Sequence, residues 1–271
     1  PTERLLLELI PPLSASDTFI EQVAGSGGGF SGDGAFATNA QLNTPRAVAV
    51  DPSGNLYIAD SANNRIRQVS ASDSIITTIA GTGVSGLGGV LEGPATEADI
   101  SDPRGIFVLP DGDLLVSESG GQLVRRINLS TGITTGFAGS GFAGFGGDGG
   151  FATDANLTTP RGITADGQGN VYISDRNNRV VRFVKDDIIT TVAGAPLGFF
   201  PFEDNVPAAE SHLTTPNGVA IDMVGNLYIA EELDHRIRKV DISGTITTIA
   251  GTGFAGFSGD GGPAAFAELN R

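Results

Sequence analysis

Arginines and carboxylates recur along this chain in matched groups, and they are the residues best suited to chemistry. Arg46, Arg104 and Arg161 each follow a proline, and Asn217 takes the same place in a fourth copy. Downstream of them come Asp60, Asn64 and Arg65; Glu118 and Gln122; Asp175, Asn178 and Arg179; and Glu231, His235 and Arg236. A guanidinium presents a planar fork of donors that matches a carboxylate or phosphate. The repeated arginines could therefore hold an anionic ligand, or they could pair with the nearby carboxylates and fix a turn. Repetition in every copy favours the structural role, which makes departures from the pattern the places to look: Asn217, His235 and Leu123.

Other chemistries have thinner support. Asp33, Asp148 and Asp260 sit in matching Gly-Asp-Gly loops and are weak candidate calcium ligands, with one carboxylate per loop and turn chemistry as the competing reason for them. No other cofactor is expected. The two histidines, His212 and His235, cannot assemble a three-histidine zinc site, although each has a glutamate nearby that could share acid–base work. There is no cysteine, so thiolate metal sites, disulfides and a cysteine nucleophile are excluded. No Gly-x-Ser-x-Gly elbow stands between a strand and a helix. Phe199, Phe200 and Phe202 form a cluster that breaks the pattern of the neighbouring loops, either as a contact patch or as cover for the loop's own small core.

The elements that must position these residues follow from the repeat. Thr44-Pro45-Arg46, Asp102-Pro103-Arg104, Thr159-Pro160-Arg161 and Thr215-Pro216-Asn217 open units at spacings of 58, 57 and 56 residues. Within the first unit, Ala47 to Asp51, Asn55 to Asp60, Arg65 to Val69 and Ile75 to Ala80 read as four short strands separated by turn residues. The other units keep this order, and 40 glycines suit the many tight turns. Four-stranded antiparallel units repeated at this period predict an all-β propeller, with four complete blades and a partial N-terminal blade of a five- or six-bladed ring. Between units lies a loop of about twenty residues whose Ala-Phe-Ala-Thr-type stretch could form one or two helical turns, anchored by Leu42, Ile100, Leu157, Leu213 and Leu269.

Gly54 to Asp60, Gly225 to Glu231 and the Asn-Asn-Arg triplets at 63–65 and 177–179 resemble the NHL-repeat family over residues 18 to 271. The resemblance implies a propeller, commonly six-bladed, in a family that mostly binds proteins, RNA or small ligands and includes a minority of lyases and hydrolases. Residues 1–17 read as an N-terminal segment with a possible extra strand. Both ends interrupt a unit, which points either to a fragment or to blade edges completed by another copy.

A formal net charge of −15 argues against a general nucleic-acid role, and no apolar run is long enough to span a bilayer. The expectation is a bacterial extracellular or envelope module that binds protein, including further copies of itself, through propeller loops and blade edges. Arg46, Arg104, Arg161, Asn217, His235, Phe199, Phe200 and Phe202 are its candidate contacts. The alternative is an NHL-like lyase or hydrolase acting at the loop face of the central channel.

Overall fold

The computed structural model describes residues 21–86, 92–195 and 203–270, which form four antiparallel blades. Blade one consists of strands Pro45–Val50, Leu56–Asp60, Arg65–Val69 and Ile75–Ala80. Blade two is Pro103–Val108, Leu114–Glu118, Leu123–Asn128 and Ile133–Ala138; blade three is Pro160–Ala165, Val171–Asp175, Val180–Lys185 and Ile188–Ala193. Blade four is Pro216–Ile221, Leu227–Glu231, Arg236–Val240 and Thr245–Ala250. The expected N-terminal extra strand lies outside the described residues.

Local chemistry explains the meander. In blade one the Asp51 carboxylate accepts the backbone N–H groups of Ser53 and Asn55, both at 2.9 Å, while Gly54 supplies the positive φ that the turn requires. Asp166 and Asp222 do the same in blades three and four. The helical stretch expected in each loop is a single 3-10 turn, such as Ala37–Asn39 or Ala152–Asp154. Just ahead of it the loop adds something the sequence did not suggest: in blades one, two and four a two-residue strand, as at Ala35–Phe36, pairs with the fourth strand of the blade that follows, and in blade three a single bridge from Phe151 to Ile188 takes its place. Each loop therefore folds back over the outer edge of the next blade, and Ile100, Leu157 and Leu213 are fully buried beneath it.

The apolar cores lie between blades. Tyr57, Ala59 and Ile66 of blade one meet Ile106, Leu114 and Val116 of blade two, and Leu115 and Val124 meet Ile163, Val171 and Ile173 of blade three. First strands of consecutive blades run side by side and are joined by buried hydroxyls. Ser61 Oγ donates to the Pro103 carbonyl, Ser119 Oγ to Pro160 (2.6 Å), Ser117 Oγ to Arg161 (2.5 Å) and Ser174 Oγ to Asn217 (2.7 Å). These bonds fix the backbone at the residues singled out by sequence. No helix among the described residues is long and apolar enough to cross a membrane.

Candidate functional site

Each Pro-Arg segment enters its blade through a β-bulge. In blade one Pro45 faces Asp60 while Ala47 faces Ala59, so Arg46 is an extra residue with no cross-strand partner. Arg104 is extra in the same way between Pro103 and Gly105. In blades three and four the register slips across Arg161-Gly162 and Asn217-Gly218. A bulge turns a side chain out of the alternating pattern of the strand. Here it turns three arginines and an asparagine toward the propeller axis.

The residue before the proline is strained where an arginine follows. Thr44, Asp102 and Thr159 have φ of 52°, 48° and 58°, a left-handed conformation that is costly for non-glycine residues and most so for β-branched threonine. Thr215, which precedes Pro216-Asn217, is not among the positive-φ residues. A carboxylate holds the backbone one position earlier: Asp60 accepts from Asn43 N (2.7 Å), Glu118 from Ser101 N (2.9 Å), Asp175 from Thr158 N (2.7 Å) and Glu231 from Thr214 N (2.7 Å).

The sequence reading placed Arg46, Arg65 and their counterparts beside these carboxylates. The structure instead gives the carboxylates to arginines further along the third strand: Arg67, Arg125, Arg182 and Arg238, all buried. Arg125 Nε pairs with Glu118, and the other three stand 3.5 Å from Asp60, Asp175 and Glu231. The same guanidiniums reach outward to the loops. Arg67 pairs with Asp33 at 2.7 Å, Arg182 with Asp148 at 2.6 Å and Arg238 with Asp204 at 3.2 Å. Phe30 and Phe145 stack near Arg67 and Arg182, with the guanidinium carbon 4.9 and 5.2 Å from the ring centre. Asp33 and Asp148 thus clasp their loops to the blades, while Asp260 lies exposed and without an ion pair among the described residues.

With the repeated blade carboxylates engaged elsewhere, the axial arginines form a separate group. Arg46, Arg104, Arg161 and Asn217 line one cavity of about 380 Å³, floored by Ala47, Gly105, Gly162 and Gly218 and by Ile106, Ile163 and Val219. Glycine is required there by close approach: a Cβ on Gly105 would lie 2.0 Å from the Arg161 carbonyl oxygen, and one on Gly162 would lie 2.4 Å from that of Asn217. Two more charged groups, Arg176 and Glu232, join from the turns that follow the second strands of blades three and four. Glu232 pairs with Arg161 at 3.2 Å and with Arg176 at 3.1 Å, and Arg161 also donates to Asn217 Oδ1. Arg104 pairs with Asp102 at 2.8 Å, and Arg46 is exposed with no ion pair among the described residues. Burial, then the charges of Arg176 and Arg104, lower the pKa of Arg161, with Glu232 opposing and Arg46 adding to the shift. Four guanidiniums face two carboxylates at this mouth.

Arg176 was not singled out by sequence, and Glu232 was named only as an acid–base partner of His235, not as an ion-pair partner of Arg161. The signal was present, because they replace Ser61 and Ser119 immediately after the blade carboxylate. His235 borders a neighbouring cavity of about 100 Å³ shared with Asn217, Glu232 and Leu269, and it adopts φ 50° at the end of its turn. Leu123, the third departure from the pattern, is buried in the blade. Phe199, Phe200 and Phe202 lie outside the described residues.

Side-by-side blades of four-stranded meanders around an axis define a β-propeller. Residues 21–70 match the family model for the teneurin NHL domain. The chain is 28% identical over 252 residues to bovine (Bos taurus) NHL repeat-containing protein 2, covering 82% of this chain and 34% of that protein. It spans about a third of the length of that relative. Among solved structures, an auxiliary nutrient binding protein from Bacteroides ovatus aligns with a TM-score of 0.57 at 19% identity, over 77% of this chain and 49% of that one. Selenomethionine-substituted virginiamycin B lyase from Staphylococcus aureus aligns with a TM-score of 0.50 at 17% identity, over 76% and 55%. At these identities the structural likeness concerns the fold. These matches support an NHL-repeat family, and the blades form a propeller.

Proposed function

We propose that this propeller is a non-catalytic module of the extracellular space or cell envelope that binds a protein partner at the axial face carrying Arg46, Arg104 and Arg161. The observation that supports it most is a cationic mouth on a strongly acidic chain: four guanidiniums against two carboxylates, where the whole protein carries −15. Such a mouth attracts acidic groups locally while the rest of the surface repels them, which favours one docking orientation over others. The blade carboxylates and loop aspartates are used in holding the scaffold, so the mouth is presented on a rigid frame.

The test is site-specific photo-crosslinking in the native source. A photoreactive residue at position 46, on the mouth, is expected to give discrete protein adducts in the extracellular or envelope fraction. The same residue at position 53, in the exposed turn at the opposite end of blade one, is expected to give none. Adducts from position 53 alone, or from neither position, would overturn the assignment of the binding face.

A further inference from the structure

Resting on that reading, we propose that the axial mouth is a site for paired carboxylates, presented as neighbouring acidic side chains on a short segment of the protein partner and gripped by Arg46, Arg104 and Arg161.

Several independent features converge on this ligand class. The three arginines come from three blades and are turned to the axis by bulges, so they approach a bound group from different sides. Arg104 holds Asp102 through Nε alone, which leaves the outer edge of its fork for another acceptor. The buried Nε–H groups of Arg161 and Arg176 find no acceptor among the described residues, an uncommon state for a buried donor. Strain in the backbone at Thr44, Asp102 and Thr159 coincides with the arginine-bearing blades. Left-handed threonine persists only where surrounding structure imposes it, and such outliers concentrate at binding sites.

Size and shape narrow the choice. A cavity of about 380 Å³ lies at the small end of ligand pockets and suits one or two side chains. Its floor is backbone and aliphatic carbon from Gly105, Gly162, Ile106 and Ile163, so charge is recognised at the rim and methylene groups are covered below. An extended polyanion would have to lie across a surface of net charge −15 and is disfavoured by that field. A short acidic tip meets only the mouth. Arg176 and Glu232 set the fourth side: Glu232 holds Arg161 and Arg176 in place and limits the number of anionic groups that the mouth accepts.

The experiment uses the intact chain and a fluorescent N-acetyl tetraglutamate amide, followed by anisotropy at about 25 mM and about 150 mM NaCl. Binding is expected at the lower salt and weaker at the higher. Arg104→Gln and Arg161→Gln are each expected to reduce affinity about tenfold, as for a lost charge-assisted contact. Arg46→Gln removes an exposed side chain, so folding is not in question, and the same loss is expected. Arg126→Gln is the control, because Arg126 pairs with Asp111 and Asp113 at the opposite end of blade two and its loss is expected to leave affinity unchanged. Free glutarate and inorganic phosphate serve as competitors. Competition by glutarate comparable to that of the peptide would assign the site to a small dicarboxylate and overturn the peptide source. Preference for phosphate, or equal affinity in the Arg46 variant, would overturn the carboxylate site. Protein adducts at position 46 with no tetraglutamate binding would remove this inference and leave the binding-face reading intact; peptide binding with no adducts would do the reverse.

Discussion

At the scale of single residues, one buried arginine in each blade ties the blade carboxylate to the loop outside it. Arg182 is 0% exposed and stands between buried Asp175 and half-exposed Asp148. Removing one partner of a buried pair strands the other, so Arg182→Ala is expected to cost about 3–5 kcal/mol in urea unfolding. Asp148→Ala removes only the exposed partner and is expected to cost about 1 kcal/mol or less. Equal losses would show that the loop, not the blade, depends on the clasp. Blade four departs from this scheme. Asp234 stands where blades one and three have Asn63 and Asn178, which donate to the blade carboxylate at 2.8 Å. Glu231 is therefore one donor short, and its Oε2 accepts no hydrogen bond. Burial first, and the charge of Asp234 as well, push its pKa from 4.5 up to about 7. Burial likewise raises Asp175 from 3.8 to about 6. In both cases the folded state holds a proton more tightly than the unfolded chain, so the contribution is fully present at low pH and declines as pH rises, between 4.5 and about 7 for Glu231. Unfolding free energies measured across that range should show a downward slope with pH that is smaller in Glu231→Gln. An unchanged slope in that variant would assign the titration elsewhere.

At the scale of elements, the bulge and the adjoining strand form one device. The bulge aims Arg104, the Ser117 hydroxyl accepts from Gly105 N at 2.7 Å and donates to the Arg161 carbonyl, and the bare Cα of Gly105 lets the two inner strands touch. Gly105→Ala forces a methyl into a backbone carbonyl, and the strands must separate. The expected loss is about 1–3 kcal/mol, accompanied by weaker binding of acidic peptide because Arg104 and Arg161 move apart. Thermal unfolding and anisotropy on the same sample check this; a stable variant with normal affinity would show that the inner strands have slack.

At the scale of the whole molecule, function follows from an opposition of fields. The chain carries fifteen net negative charges; four of its sixteen arginines and lysines are buried inside the blades and four stand at the axial mouth. Buried guanidiniums are neutralised locally and are silent to a partner. Those at the mouth are neutralised only in part, four guanidiniums against two carboxylates, so a positive excess meets an approaching acidic segment within a Debye length. Stacked blades make this durable, because each inter-blade core holds its neighbours at a fixed angle and the four first strands keep their spacing around the axis.

The architecture was legible from one dimension because each strand is short, alternates or clusters its apolar residues, and ends in a turn that only a few residue types can make. Thr-Pro-Arg, Asp-x-x-Gly-Asn and the Gly-Asp-Gly loop all repeat, and repetition is visible without coordinates. Arg46, Arg104, Arg161 and Asn217 were recognisable as a set for the same reason. What they face was not. Pairing between Arg182 and Asp148 joins residues 34 positions apart, and Arg161 with Glu232 joins residues 71 apart. Only the closing of loop over blade, and of blade beside blade, brings such groups together. The bulges were equally hidden, since an extra residue in one strand is defined by the register of its partner. Sequence fixes which side chains recur; the tertiary structure decided which arginines are neutralised inside the blades and which are left to meet a ligand.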